Sequence, residues 1–129
     1  DLGHLSLMFD VVMTSLPHVQ AGRIRPLAMS SLQRSKALPA IPTVAESGYA
    51  GYEAIVWFGL FAPANTPADI VRKVHEEVAR SLRLPKMQEL LSSQGLEVVA
   101  STPAEFSARV ASEIAKWRKV LAEAGIKPE

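Results

Sequence analysis

Apolar residues along this chain recur with two periods, and the switches between them mark its elements. Leu5-Ser6-Leu7-Met8-Phe9 is a short apolar run bounded by Gly3 and Asp10, which predicts a buried strand. Ile24 to Ser30 predicts a second strand, at an edge or beginning after Pro26, because proline offers no N–H to a ladder. Ala54 to Ala62 is apolar on both alternating faces, the pattern of a strand covered on both sides in an α/β sheet, and Pro63 closes it. Leu96 to Val99 predicts a fourth, short strand.

Between these runs the period becomes helical. Val11 to Ala21 predicts a helix with a kink or break near Leu16, imposed by Pro17, and a stop at Gly22. Ser31 to Pro42 reads as a loop. Thr43-Val44-Ala45-Glu46 has the spacing of a capping box and predicts a short helix ended by Ser47-Gly48. Thr66-Pro67-Ala68-Asp69 and Thr102-Pro103-Ala104-Glu105 share one helix-start pattern: Thr at the cap, Pro in the first turn and an acid three residues after the Thr. Each such cap contributes about 1 kcal/mol. The first of these helices runs to about Arg83, with Ile70, Val74, Val78 and Leu82 on one face. Leu84-Pro85 breaks it and opens a shorter helix to about Gln94, ended by Gly95. The last helix carries Phe106, Val110, Ile114, Trp117 and Leu121 on one stripe and ends at Gly125, with Glu105 and Arg109 spaced as an i,i+4 ion pair. The order βαβ(α)βααβα predicts the α/β class, with helices packed on a sheet.

Composition narrows the function classes. The chain has 129 residues, 48% hydrophobic and 21% charged, which is globular, and its length alone reads as one domain. A net charge of +1 gives no reason to expect a nucleic-acid or membrane partner. With no cysteine, thiol catalysis, disulfides and thiolate-bound metals are excluded. The longest apolar run, Ala54 to Ala62, falls well short of the roughly 20 residues that span a bilayer. The chain opens on Asp1-Leu2-Gly3 with neither an initiating Met nor a signal peptide, which predicts a piece of something longer.

The candidate chemistry is sparse. His4, His18 and His75 are widely spaced and lie in no metal-ligand motif, so His75 reads as a surface residue, and no metal or cofactor is expected. Nucleophile elbows and phosphate-binding glycine loops are absent, and no serine has a recognisable base beside it, so the protein is not expected to be an enzyme. Asp10 is the most informative polar residue. It sits where a strand would end and a helix begin, the place at which open α/β sheets bind ligands. It can serve a ligand, cap the helix that starts at Val11, or do both. Tyr49, Tyr52, Trp57 and Phe58 cluster near the third predicted strand and read as core or interface residues. Arg23, Arg25 and Arg34 form either an anion site or scattered surface charge.

Four ordered motifs then resemble one family. Gly3 to Asp10 matches G-x-x-x-x-M-F-D, and Gly22 to Ala28 matches G-x-x-R-x-L-A. Arg34 to Gly48 matches R-x-x-x-L-P-x-x-P-T-x-x-E-x-G. Trp57 to Pro67 matches W-x-G-x-x-A-P-x-x-T-P. With the terminal Trp117, Val120 and Ala124-Gly125-Ile126, the whole chain resembles the substrate-binding proteins of tripartite tricarboxylate transporters, the Bug-type receptors. Pro26 stands where alanine is common in that family, and Asn65 where glycine is common.

The resemblance implies a periplasmic solute receptor with a two-lobed, Venus-flytrap α/β fold. Such a receptor captures a small carboxylate (a di- or tricarboxylate, an acidic amino acid or an aromatic acid) and delivers it to a membrane permease. Residues 1–53 would be the C-terminal end of lobe two. Residues 54–129 would be the crossing strand and the C-terminal return segment of lobe one. Phe9 and Asp10 would sit at the cleft edge as ligand-binding residues, Phe9 offering apolar contact and Asp10 orienting polar groups. The competing expectation is an interaction module that self-associates as a homo-oligomer through exposed apolar surface.

Overall fold

The computed structural model describes residues 6–126. It contains four helices, α1 (Val12–Gln20), α2 (Ala68–Leu82), α3 (Pro85–Ser93) and α4 (Pro103–Glu123). Two compact units divide the chain: Asp1–Phe58 with Arg83–Val98, and Gly59–Leu82 with Val99–Glu129. The first unit holds α1 and α3, and the second holds α2 and α4.

The helices end where glycine allows. After α1, Gly22 takes φ +68°, its N–H reaches the Val19 carbonyl, and the Arg23 N–H reaches back to His18 at 2.9 Å. This reversal satisfies carbonyls that the helix leaves open, and a residue without a Cβ enters it freely. Gly95 and Gly125 close α3 and α4 with the same pair of bonds. Pro17 lies inside α1, and the helix runs through it rather than breaking at Leu16, which is buried.

The helix starts are less uniform than their sequences suggest. Thr102 forms the full capping box, with Thr102 N–H donating to Glu105 at 2.8 Å and Glu105 N–H donating to the Thr102 hydroxyl at 3.3 Å. Thr66, in the same pattern, does something else. Its hydroxyl donates to the Pro63 carbonyl at 2.8 Å, inside a turn where Asn65 has φ +70°. Asparagine is among the few non-glycine residues that enter this region readily, which accounts for Asn65 at a glycine position. Thr43 also forms its capping box, but only turns follow it, not a helix.

The predicted strands differ most from the structure. Among the described residues there is no strand ladder, only one isolated parallel bridge between Met29 and Thr43. Of the first predicted strand, Leu5 lies outside the described residues, and Leu7, Met8 and Phe9 are exposed. The run from Ala54 to Ala62 has neither ladder nor helix, and Val56, Phe58, Leu60 and Phe61 are exposed rather than covered on both faces. Val99 is 81% exposed. The reason is physical: a strand is a property of a pair. Its backbone groups need a neighbouring strand and its faces need layers to cover them, and apolar alternation provides neither.

Helix α2 turns only the later half of the expected stripe inward: Val78 and Leu82 are half-buried. Ile70 and Val74 are about half exposed, while Ala79 is buried. At about 100° per residue, a four-residue step drifts about 40°, so Ile70 ends up about 180° from Ala79. The inward face is Val71, His75, Ala79 and Leu82, all buried or half-buried. In the same unit the Phe106 ring of α4 lies 5.3 Å from the Phe61 ring, and a Cβ on Gly59 would fall 2.1 Å from Phe106. Glycine at position 59 therefore lets the extended backbone pass directly under that ring.

Candidate functional site

Phe9 and Asp10 stand immediately before α1 in an extended segment. Phe9 is 78% exposed and Asp10 is also open to solvent. The residue at the helix cap is Val11, which makes no side-chain cap bond. Asp10 therefore does not cap the backbone; its Oδ1 lies 2.9 Å from the Thr14 hydroxyl one turn along, whose single proton it shares with the Val11 carbonyl at 2.8 Å. A carboxylate beside a helix N-terminus is favoured by the exposed amide dipoles there. With Oδ1 beside the Thr14 hydroxyl, the second carboxylate oxygen has no hydrogen-bond partner among the described residues.

Support for this corner comes from a distant part of the chain. Gly95, in the turn that ends α3, approaches so closely that an added Cβ would sit 2.4 Å from Val12 Cγ1. Sequence reasoning assigned Gly95 only the role of a helix stop. Its signal, a glycine after a helical run, says nothing about a partner more than eighty residues away in the chain.

The three arginines do not form one anion site. Arg23 and Arg25 are exposed, whereas Arg34 is committed to the protein itself. Its Nε donates to both oxygens of Glu46, at 3.1 and 3.0 Å, and Nη1 donates to the Pro39 carbonyl at 3.3 Å. Glu46 also accepts the Thr43 N–H at 2.7 Å, and the Glu46 N–H donates to the Thr43 hydroxyl at 3.0 Å. The Thr43 N–H bond, followed by the Arg34 guanidinium, holds the Glu46 carboxyl below its ordinary value. Thr43 is fully buried, and the strands of chain flanking the loop are tied by Met29 N–H to Pro42 and Val44 N–H to Met29, both 2.8 Å. The result is a clasp that closes the loop from Ser31 to Pro42.

The other charged clusters are likewise internal. On α4, Glu113 accepts from Lys116 at 2.7 Å and from the Trp117 indole at 2.9 Å, and Arg109 lies 3.9 Å away. These partners, Lys116 foremost, lower the Glu113 carboxyl below its ordinary value. Arg109 pairs forward with Glu113 rather than back with Glu105, whose carboxyl is lowered mainly by its bond to the Thr102 backbone. His75 is half-buried near Glu105, not a fully solvated surface group. His4 lies outside the described residues. Tyr49, Tyr52 and Phe58 are exposed, so they do not fill a core. Among the described residues no cluster of His, Asp and Glu could hold a metal ion, and no helix is long and apolar enough to cross a membrane.

Comparison with known proteins decides the family. Residues 2–126 match the family described as "Tripartite tricarboxylate transporter family receptor". The chain belongs to that family. Among solved structures it is similar to Rpa4515 of R. palustris with adipate: 38% identity, TM-score 0.79, covering 92% of this chain and 40% of that one. It is similar to the periplasmic binding protein BugD, with 32% identity, TM-score 0.77, and coverage of 89% and 39%. It is also similar to MatC of Rhodopseudomonas palustris with bound malate, with 28% identity, TM-score 0.73, and coverage of 85% and 38%. The chain thus spans about two-fifths of the length of each of these structures. The fold is α/β, a part of the two-lobed periplasmic-binding-protein architecture.

Proposed function

We propose that this chain is part of a periplasmic solute-binding receptor, not an enzyme, that captures a small carboxylate and delivers it to a tripartite tricarboxylate-type permease. The family match over residues 2–126 carries this reading. The adipate and malate held by similar receptors support the ligand class. In this reading residues 1–53 close lobe two, and residues 54–129 form the crossing strand and the return segment of lobe one. The apolar faces of Val56, Phe58, Leu60 and Phe61 are then surface for the rest of the receptor to cover, rather than a self-association patch.

Phe9 and Asp10 form the cleft edge of lobe two. Phe9 supplies exposed apolar area next to the ligand. Asp10 cannot face a ligand carboxylate directly, because two like charges about 4 Å apart repel by about 4 kcal/mol at an effective dielectric near 20. It addresses a hydroxyl, an amine or a bridging water instead, with the Thr14 hydroxyl within reach of its Oδ1. Malate offers such a hydroxyl and adipate does not.

Calorimetric titration of the receptor as its gene encodes it tests both levels. Binding of at least one di- or tricarboxylate, acidic amino acid or aromatic acid is expected, and a receptor that takes up none of them overturns the reading. Asp10→Asn is expected to weaken hydroxy- or amino-acid binding by about tenfold, some 1.4 kcal/mol, while plain dicarboxylates change less. Equal affinities before and after the substitution for every acid remove Asp10 from the site.

A further inference from the structure

The three glycines that end α1, α3 and α4 make the same turn but have different surroundings. A Cβ on Gly22 or Gly125 would meet nothing within 4 Å among the described residues. A Cβ on Gly95 would fall 2.4 Å from Val12 Cγ1, 3.1 Å from Val12 Cβ and 3.7 Å from the Val12 carbonyl carbon. The turn itself therefore does not require this close approach, and Gly95 meets a second demand. Val12 is the first residue of α1 and follows Asp10 by two positions. As a β-branched residue in a helix it has one strongly preferred rotamer, so its methyl has little room to swing aside. The start of α1 has no side-chain cap to fix its place from its own sequence.

We infer that Gly95 is a positioning residue for the ligand edge: its bare Cα is the seat for Val12, and through Val12 it sets where α1 begins and where Phe9 and Asp10 point. This rests on the proposal that Asp10 serves the ligand. A side chain at position 95 pushes Val12, and with it Asp10 two residues before, whose carboxylate reaches the Thr14 hydroxyl on the same helix. Position 95 would then affect affinity with no ligand contact of its own.

The test uses the receptor as its gene encodes it, with malate and adipate affinities by calorimetry and melting temperatures on the same samples. Gly125→Ala is the control, because it forces a side chain into the same left-handed turn without a neighbour. It should lower the melting temperature and leave both affinities unchanged. Gly95→Ala should lower the melting temperature and also weaken the acid that depends on Asp10 by about tenfold. Adding Val12→Ala to Gly95→Ala should recover most of that affinity while the melting temperature stays low, since the turn remains strained. If Gly95→Ala does not fold, Val12→Ile presses on the same contact from the α1 side, and a several-fold loss is expected. Unchanged affinity in Gly95→Ala, or in Val12→Ile where that variant stands in, overturns the positioning role when Asp10→Asn does weaken binding. No effect of Asp10→Asn on either acid overturns the Asp10 reading itself and leaves Gly95 nothing to position.

Discussion

The clasp around Thr43 and the apolar run from Ala54 to Ala62 are near neighbours in sequence and opposite in condition. In the clasp, Thr43 is fully buried, and Arg34, Glu46 and the flanking backbone satisfy one another within eighteen residues of chain. The run is among the most apolar stretches of the protein, yet Phe58 and Phe61 are more than 70% exposed and no strand pairs with it among the described residues. Polar structure can close on itself locally, because a hydrogen bond needs one partner at short range. An apolar strand cannot, because it needs both edges and both faces supplied from elsewhere.

The largest expected effect breaks that contrast from the apolar side. Leu60→Ser in the receptor as its gene encodes it should cost about 2–4 kcal/mol, the scale of a large-to-small change in a core. In the 129-residue chain, where Leu60 is exposed, the same substitution should stay within about 0.5 kcal/mol. Urea denaturation of the two proteins measures the difference, and equal effects in both would sink the reading of this run as a covered strand.

A middle-sized effect breaks it from the polar side. Thr43→Val keeps the side-chain volume but removes the hydroxyl that accepts the Glu46 N–H in a fully buried position. The loss of such a cap should cost roughly 1–2 kcal/mol in either protein, since the hydrogen bonds of the clasp lie within its own segment. A cost found only in the longer protein would show that the clasp too needs outside support.

The smallest effect is a pH dependence. Glu46 is held below its ordinary value of 4.5, first by the Thr43 N–H and then by Arg34. A carboxyl lowered in the folded state stabilises it above the unfolded value, and this contribution is lost as pH falls through the lowered value. Melting temperature should therefore drop as pH is taken from 6 down through about 4.5 and below, with Glu105 and Glu113 acting in the same direction. Glu46→Gln should melt lower at pH 6 and show a shallower acid drop. A drop as steep as in the unsubstituted protein would mean that Glu46 contributes none of it.

Much of the local structure was legible. Gly22, Gly95 and Gly125 were readable as helix ends, and Thr102 with Glu105 as a capping box, because each depends on residues only a few positions apart. The limit shows at Thr66, whose motif matches that of Thr102 while its hydroxyl goes to Pro63: a local signal loses to a competing local bond. It shows again at α2, where Ile70 and Val74 share a stripe with Val78 but lie on the side turned away from Ala79. At the candidate site, Asp10 stood out by its place before a helix, whereas Thr14 and Gly95 did not. A hydroxyl one turn along and a glycine from the other end of the chain announce no partner in the sequence.

The sequence by itself determined the family, the helices and their ends, and the polar pairs that close within a few residues, because short-range hydrogen bonding and backbone sterics are set by neighbours in the chain. Only the tertiary structure decided which face of α2 turns inward, that the extended runs find no ladder among the described residues, and that Gly95 seats Val12 beside Asp10. Each of these depends on which distant surface arrives, and hydrophobicity, being non-directional, specifies that a residue should be covered without specifying by what.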